Sequence, residues 1–406
     1  MSGGTGIGQR FPEEDTSDDR PGGARSSLPE LFVCFVRLGL TAFGGPAMLA
    51  NVRQVVVQKK GWIGEPSFQR GVALCQLIPG ATVMQMAAYV GFQLAGIRGA
   101  LTAFVGFGLP AFLLMLLLSS VYVSARDLWW SISLFKGLQV LVVAVVAHAA
   151  WSFGHTIVKN VRAGVIAAGS FILLSVGLNP FAAILLSAGT GLVLFRYQGL
   201  TGLPQQGMSS AWTRSGTLIL IAPFVWAGLL SIFGDEIFSL AMLMMKIDLF
   251  AFGGGFGLLP LMYHEVVEVR GWLDGKTLMD GIALGQMTPG PIVITAAFVG
   301  YVMHQTAGAA VATVSVFLPS FVIVVFAAPF FDRISSSPIV QGALRGILAS
   351  FVGLLVFVTL KFTEAVMWDI AGVLLLVAAL IALVRKVDLL LIIIIGASLS
   401  IVLFRH

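Results

Sequence analysis

Two pairs of cations occur where the sequence is otherwise apolar. Arg37 and Lys246 each lie six residues before a Phe-Gly-Gly triplet, Phe43-Gly44-Gly45 and Phe252-Gly253-Gly254. Lys136 and Arg345 each precede a glycine, Gly137 and Gly346, near the start of a long apolar run. A Lys or Arg at the centre of a membrane helix costs about 2.5–3.5 kcal/mol on insertion scales, whereas near a helix end it can snorkel. Two readings follow: paired, pseudo-symmetric cationic sites for an anion, or anchors that hold helix ends at the headgroups. Arg37 and Lys246 favour the first, because their helices lead directly into breaks.

The breaks are Gly44-Gly45-Pro46, Pro79-Gly80, Gly253-Gly254-Gly255 with Pro260, and Pro289-Gly290-Pro291. Glycine removes the side-chain constraint and proline removes an amide donor, so helices stop there. An interrupted helix exposes free amides and a positive dipole end at the start of its second piece. Gln76 and Gln286, each three residues before a Pro-Gly, add side-chain donors, and Thr82, Thr288 and Thr295 add hydroxyls. A tetrahedral oxyanion needs donors from several directions, and this set supplies them without a metal or any other cofactor. Asp248, two residues after Lys246, is expected either to neutralise that lysine or to relay a proton. His148 and Cys75 read as packing residues. No Gly-x-Ser-x-Gly, Walker loop or His-Glu-x-x-His occurs, so neither enzyme chemistry nor ATP-driven transport is expected.

The elements that must position these groups are membrane helices. The chain has 406 residues, 58% apolar and only 11% charged, with a mean hydropathy of +0.96. A soluble domain carries roughly 45–50% apolar and about 25% charged residues, which excludes a soluble enzyme. With 24 Lys+Arg against 19 Asp+Glu, nucleic-acid binding is excluded as well. A membrane-crossing helix needs about 20 apolar residues. Thirteen apolar segments stand near 31–50, 67–96, 99–123, 131–153, 161–178, 181–198, 216–234, 237–262, 277–303, 307–330, 338–360, 365–384 and 387–404.

The chain repeats itself at a shift of 209 or 210. Gly61-Trp62 recurs as Gly271-Trp272, Gln76 with Pro79-Gly80 as Gln286 with Pro289-Gly290, and Pro110 as Pro319. Six segments lie in each half and one between them, and a single linking helix turns the second unit upside down. Charge agrees: the loop near 51–70 holds Arg53, Lys59, Lys60 and Arg70, whereas its counterpart near 263–280 holds Glu265, Glu268, Asp274 and Asp280. Lys and Arg mark the cytoplasmic side, so the twin loops are expected on opposite sides. The fold expected is an all-α polytopic membrane protein of two inverted-topology repeats with broken or re-entrant helices, joined by a linking transmembrane helix. The domains expected are a disordered cytoplasmic tail (1–28), an N-terminal repeat (29–198), a linker and connecting helix (199–235) and a C-terminal repeat (236–406). If the first two segments of each half enter and return on one side, nine segments cross fully, with the N-terminus cytoplasmic and the C-terminus outside.

The two-half layout, the Phe-Gly-Gly near the start of each half, the following Gly-Trp and the Gln-Met-Thr-Pro-Gly-Pro run at 286–291 together resemble the chromate ion transporter family in its long, two-domain form, over about 31–404. The first half departs from the Pro-Gly-Pro pattern with Pro79-Gly80-Ala81, and Gly255 stands where the first half has Pro46. The resemblance implies a multi-pass protein of the bacterial inner membrane that exports chromate and confers chromate resistance. Sulfate, an anion of similar shape, is the competing substrate; a passive anion channel and a membrane-embedded enzyme are the rivals from other classes. In this reading Arg37, Lys246, Lys136 and Arg345 offset the dianion's charge. Gln76, Gln286, Gly44, Gly45, Pro79, Gly80, Gly253, Gly254, Pro289 and Gly290 orient it. The expected partners are the oxyanion and the lipid bilayer, and a homodimer is compatible with the reading.

Overall fold

The computed structural model describes residues 27–41, 43, 46–125, 127–195 and 219–404, and every regular element among them is helical. The expected tail (1–28) falls almost wholly outside the described residues, as do Gly44, Gly45 and the polar stretch 199–215. The first half begins with α1 (Leu28–Leu40), capped by Ser27, whose hydroxyl accepts the Glu30 amide. Next come α2 (Pro46–Arg53), which runs into a π-turn Gln54–Lys59, and α3 (Glu65–Leu77). α4 (Thr82–Ala125), α5 (Trp129–Ile157), α6 (Val161–Ser175) and α7 (Pro180–Leu194) complete the half. After the connecting helix α8 (Ala222–Leu230), the second half repeats this order with one added short helix, Phe331–Ser336. It consists of α9 (Asp235–Phe250), α10 (Leu258–Met262) with the π-turn Tyr263–Val269, α11 (Gly275–Met287) and α12 (Thr295–Ala327), then α13 (Phe331–Ser336), α14 (Pro338–Ala365), α15 (Ile370–Val384) and α16 (Leu389–Leu403).

Each half opens with two hairpins. Lys60 Nζ donates to Glu30 Oε1 at 2.7 Å, so the end of the α2 π-turn lies beside the start of α1. In the second half Lys246 on α9 reaches Glu265 in the π-turn at 2.5 Å. The next hairpin turns at Pro79-Gly80: Gly71 on α3 faces Tyr89 and Met86 on α4. Its twin turns at Pro289-Gly290, with Gly281 on α11 against Phe298 on α12. The proline and glycine stop one helix and free the chain to turn back, so each pair of helices packs as a hairpin.

α4 and α12 are each two helices. The chain folds back at Ala95 (φ −144°) and Gly96 (φ 60°), and again at His304 (φ −139°) and Gln305 (φ 50°). The proof is close approach. A side chain on Gly91 would strike the Gly99 carbonyl, and one on Gly300 the Gly308 carbonyl, although residues eight apart lie about 12 Å apart in a straight helix. Only glycine at both positions lets the arms touch.

Repeat mates meet out of register, as the members of an inverted pair do. A side chain on Gly154 (α5) would stand 3.5 Å from Val352 on α14, whereas the mate of Gly154 is Thr363, about 16 Å further along that helix. Phe104 on α4 packs edge-on against Phe317 and Phe321 on α12, at 6.1 and 5.0 Å between centroids, rather than at the level of its mate Thr313. The halves also exchange partners. α5 packs on α15 and α16 of the second half, and α14 on α6 and α7 of the first. Gly137 meets Ser400, and Gly346 meets the Ser187 carbonyl and Gly191.

Among the described residues, four stretches are long and apolar enough to cross a membrane, Thr82–Ala125, Trp129–Ile157, Ile292–Phe330 and Pro338–Ala365, the first and third each including both arms of a fold-back. α6, α7, α15 and α16 have 15 residues each, about 22 Å of helix against a hydrocarbon core of about 30 Å. The expected nine full crossings therefore include short helices, and the described part of the connecting helix, Ala222–Phe233, is also short. Trp226 ties it to α12 by donating to Ser315 Oγ at 2.9 Å.

Candidate functional site: the meeting of the hairpin tips

The Pro-Gly tip of each half packs on the long helix of the other, next to that helix's internal proline. Gly80 (φ +115°) lies so close to Ser320, the residue after Pro319, that a Cβ would overlap the Ser320 hydroxyl; Gly290 (φ +121°) lies against Ala111, the residue after Pro110. Gly80 N–H also donates to the Ala251 carbonyl at 2.8 Å, which joins the first-half tip to the second-half break. That break holds three consecutive positive φ values, at Gly253, Gly254 and Gly255, a path glycine takes at little steric cost. A side chain on Gly254 would lie 3.5 Å from Thr82 Oγ1, and one on Gly253 3.2 Å from Phe153. Three breaks thus converge on one region, with the N-terminal end of α4 directed into it.

Polar groups line this junction. Asp248, 1% exposed, accepts the Ser320 N–H at 2.8 Å on Oδ2, and the Ser320 hydroxyl lies 2.8 and 2.6 Å from its two oxygens. Pro319 loosens the helix ladder at this point. Asp248 therefore does not pair with Lys246. Gln85, fully buried, donates its Nε2 to the Pro79 carbonyl and leaves its Oε1 without a partner among the described residues. Gln286 Nε2 is likewise buried and unpartnered, whereas Gln76 is exposed. The Thr288 and Thr295 hydroxyls donate within their own turns, to Gly285 and Ile292.

The four cations do not gather. Arg37 is exposed in the last turn of α1. Lys246 pairs with Glu265, which is buried, also bonds Arg270, and so ties the hairpin of α9 and α10 together; the lysine Nζ also lies 3.9 Å above the Phe181 ring. Lys136 pairs with Asp369, the N-cap of α15, at 2.7 Å and lies 4.6 Å over Phe404. Arg345 lies 5.9 Å over Phe195, the repeat mate of Phe404. Lys136 is 17 residues from Phe153 on α5, about 25 Å along the helix. Lys136 and Arg345 therefore stand beside helix ends, Lys136 by the caps Asp369 and Phe404 and Arg345 by the cap Phe195.

Two acids that enter the loop-charge comparison are interior groups. Glu265 is 2% and Asp280 6% exposed. Asp280 accepts from Tyr122 Oη at 2.9 Å and Gln139 Nε2 at 2.8 Å, fastening α11 to α4 and α5. The contacts between repeat mates, rather than loop charge, carry the inversion. At the bases of the first-half hairpins the hydrogen bond to Glu30 raises the Lys60 pKa, and hydrogen bonds from Gln69 and Arg53 hold Glu65 below the usual carboxylate range. Ser320 and Gln85 escape a reading by motif. The one available signal for Ser320 is its place after Pro319, where the first half has Ala111.

Interlocked inverted halves with broken hairpins meeting in the interior define a multi-pass membrane protein of the transporter type. The chain belongs to the chromate transporter family, whose pattern matches residues 29–192 and again 238–401. The family is one of transporters, not of enzymes. An uncharacterized transporter of Methanocaldococcus jannaschii is 40% identical over 380 residues, covering 92% of this chain and 94% of the relative. The chromate transport protein of Cupriavidus metallidurans is 31% identical over 335 residues, 80% of each chain. The chromate transport protein of Pseudomonas aeruginosa is 29% identical over 361 residues, 83% of this chain and 82% of the relative. No solved structure matches this chain.

Proposed function

We propose that this protein is a secondary transporter that exports chromate from the cytoplasm across the bacterial inner membrane and so confers chromate resistance. The family membership and the relatives named chromate transport protein support the substrate. The observation that carries the mechanism is the Gly80–Ala251 contact, which brings a tip of one half onto the break of the other. In this reading the dianion binds at that junction. The amides at the start of α4 and the side chains of Gln85 and Gln286 surround it, and Arg37 and Lys246 supply positive potential from the hairpins that lead there. Rocking of one half against the other then opens the junction to each side in turn. Lys136 and Arg345 hold helix ends in the conformation described. An inside-negative potential favours exit by about 2.3 kcal/mol per net negative charge per 100 mV.

The test is chromate flux in proteoliposomes, with sulfate as competitor. Arg37→Gln should lower flux at subsaturating chromate by about tenfold, the equivalent of about 1.4 kcal/mol, whereas Lys136→Gln should change it less than threefold. Equal losses in the two variants would remove the distinction drawn between them. Wild-type protein that carries sulfate but no chromate would overturn the substrate.

A further inference from the structure

The two tip cradles are unequal, and the difference is a titratable group. Where Gly290 rests, the first half offers Ala111, and Gly39 occupies the place equivalent to Asp248. Where Gly80 rests, the second half offers Ser320 bonded to a carboxylate with almost no exposure to solvent. Building on the transport reading above, we infer that Asp248 is the coupling site of the transporter, binding one proton when the oxyanion binds and carrying it across in the same direction.

Oδ2 of Asp248 is held by the Ser320 N–H, which can only donate. The Ser320 hydroxyl can do either. It donates to the charged carboxylate; once Oδ1 carries a proton, the hydroxyl accepts from it and its own hydrogen turns away. The direction available to that hydrogen is toward the tip, because Ser320 Oγ occupies the space in which a Gly80 Cβ would lie. Protonation thus removes a negative charge beside the anion and presents one more donor to it. The charged and neutral states both keep the Asp248–Ser320 bond, so the site can switch without losing its hydrogen bond.

Among the described residues no charged side chain pairs with Asp248, whose partner is Ser320. Lys246, two residues earlier, is engaged by Glu265. Asp235 and Glu236 lie at the far end of α9, about 18 Å along it. On α12, Tyr301 and His304 lie near the fold-back, where His304 approaches Glu236 at 3.6 Å. α8, α10 and the tip residues 78–81 carry no titratable side chain.

The experiment uses the full chain in proteoliposomes with a pH dye in the lumen, membrane potential clamped, and an inward chromate gradient at alkaline pH. Wild-type uptake should acidify the lumen and should fall about tenfold per pH unit on its alkaline limb, the slope of one required proton. Asp248→Asn, neutral at every pH, should take up chromate without acidification and with a flat pH profile. Ser320→Ala, which keeps the carboxylate but loses the reversible donor, should move the alkaline limb, and it serves should the asparagine variant not fold. Wild-type chromate uptake with no luminal acidification would overturn the proposal. So would acidification that survives in Asp248→Asn, or an unmoved limb in Ser320→Ala. Absence of any chromate uptake by the wild type would instead overturn the transport reading.

Discussion

Gly80→Ala should reduce chromate flux at least a hundredfold and lower thermal stability in detergent. Gly80 holds φ +115°, and a Cβ there would overlap Ser320 Oγ and lie 2.9 Å from Gln85 Nε2. The backbone strain costs about 1–3 kcal/mol and the overpacking about 1–3 kcal/mol more. Relief requires the tip to back away, which breaks the Gly80–Ala251 hydrogen bond and opens the junction. Two comparisons isolate the cause. Gly177 also has a positive φ, +88°, but nothing lies within 4 Å of a Cβ there, so Gly177→Ala should cost about 1 kcal/mol and spare flux. Adding Ser320→Gly to Gly80→Ala removes the clash but not the strain, and should restore part of the stability. A Gly80→Ala protein with flux within twofold of wild type would mean that the tip contact plays no part in transport.

The second large effect is expected at Glu265, on stability. This buried carboxylate holds both Lys246 and Arg270. Removing one member of a buried ion pair commonly costs about 3–5 kcal/mol. Lys246 is 43% and Arg270 28% exposed along their side chains, so water recovers part of that, and Glu265→Gln should cost about 2–3 kcal/mol. Lys246→Gln should cost less, because Arg270 still balances the carboxylate. The functional effects should have opposite signs. Freeing Lys246 should lower the KM for chromate, and deleting it should raise the KM. Thermal unfolding together with flux kinetics checks both, and an unchanged melting temperature in Glu265→Gln would show that the pairing does not hold the hairpin.

What could be read from the chain depended on how local its cause was. The breaks at Pro79-Gly80, Gly253-Gly254 and Pro289-Gly290 are dictated by the residues that form them, and the structure turns at each. The gaps between the apolar segments 67–96 and 99–123, and between 277–303 and 307–330, fall at the two fold-backs, although nothing in Ala95 or Gln305 marks a reversal; the approach of Gly91 to Gly99 and of Gly300 to Gly308 does. The repeat was legible because duplication left mates such as Pro110 and Pro319 in register; its inversion was read from the single linking helix and from loop charge, two of whose acids are interior groups. The partners of the cations were not legible. Lys136 meets Asp369 across 233 residues, and no local pattern links them. Lys246 has Asp248 two residues away, yet a helix points neighbours at that spacing in different directions, so the lysine turns to Glu265 and the aspartate to Ser320. Acids near 263–280 read as loop charge because their burial arises only when the hairpins close.

The account rests on hairpins that enter from opposite sides and meet in the interior. The direct test places single cysteines at the repeat mates Gln58 and Glu268, both exposed near the hairpin bases, in a chain whose own Cys34 and Cys75 are replaced by serine. Labelling with a membrane-impermeant maleimide, in intact cells and in inverted vesicles, should mark position 58 only from the cytoplasmic side and position 268 only from the outside. Labelling of both from the same side would contradict the inversion, and the shared site between the tips with it.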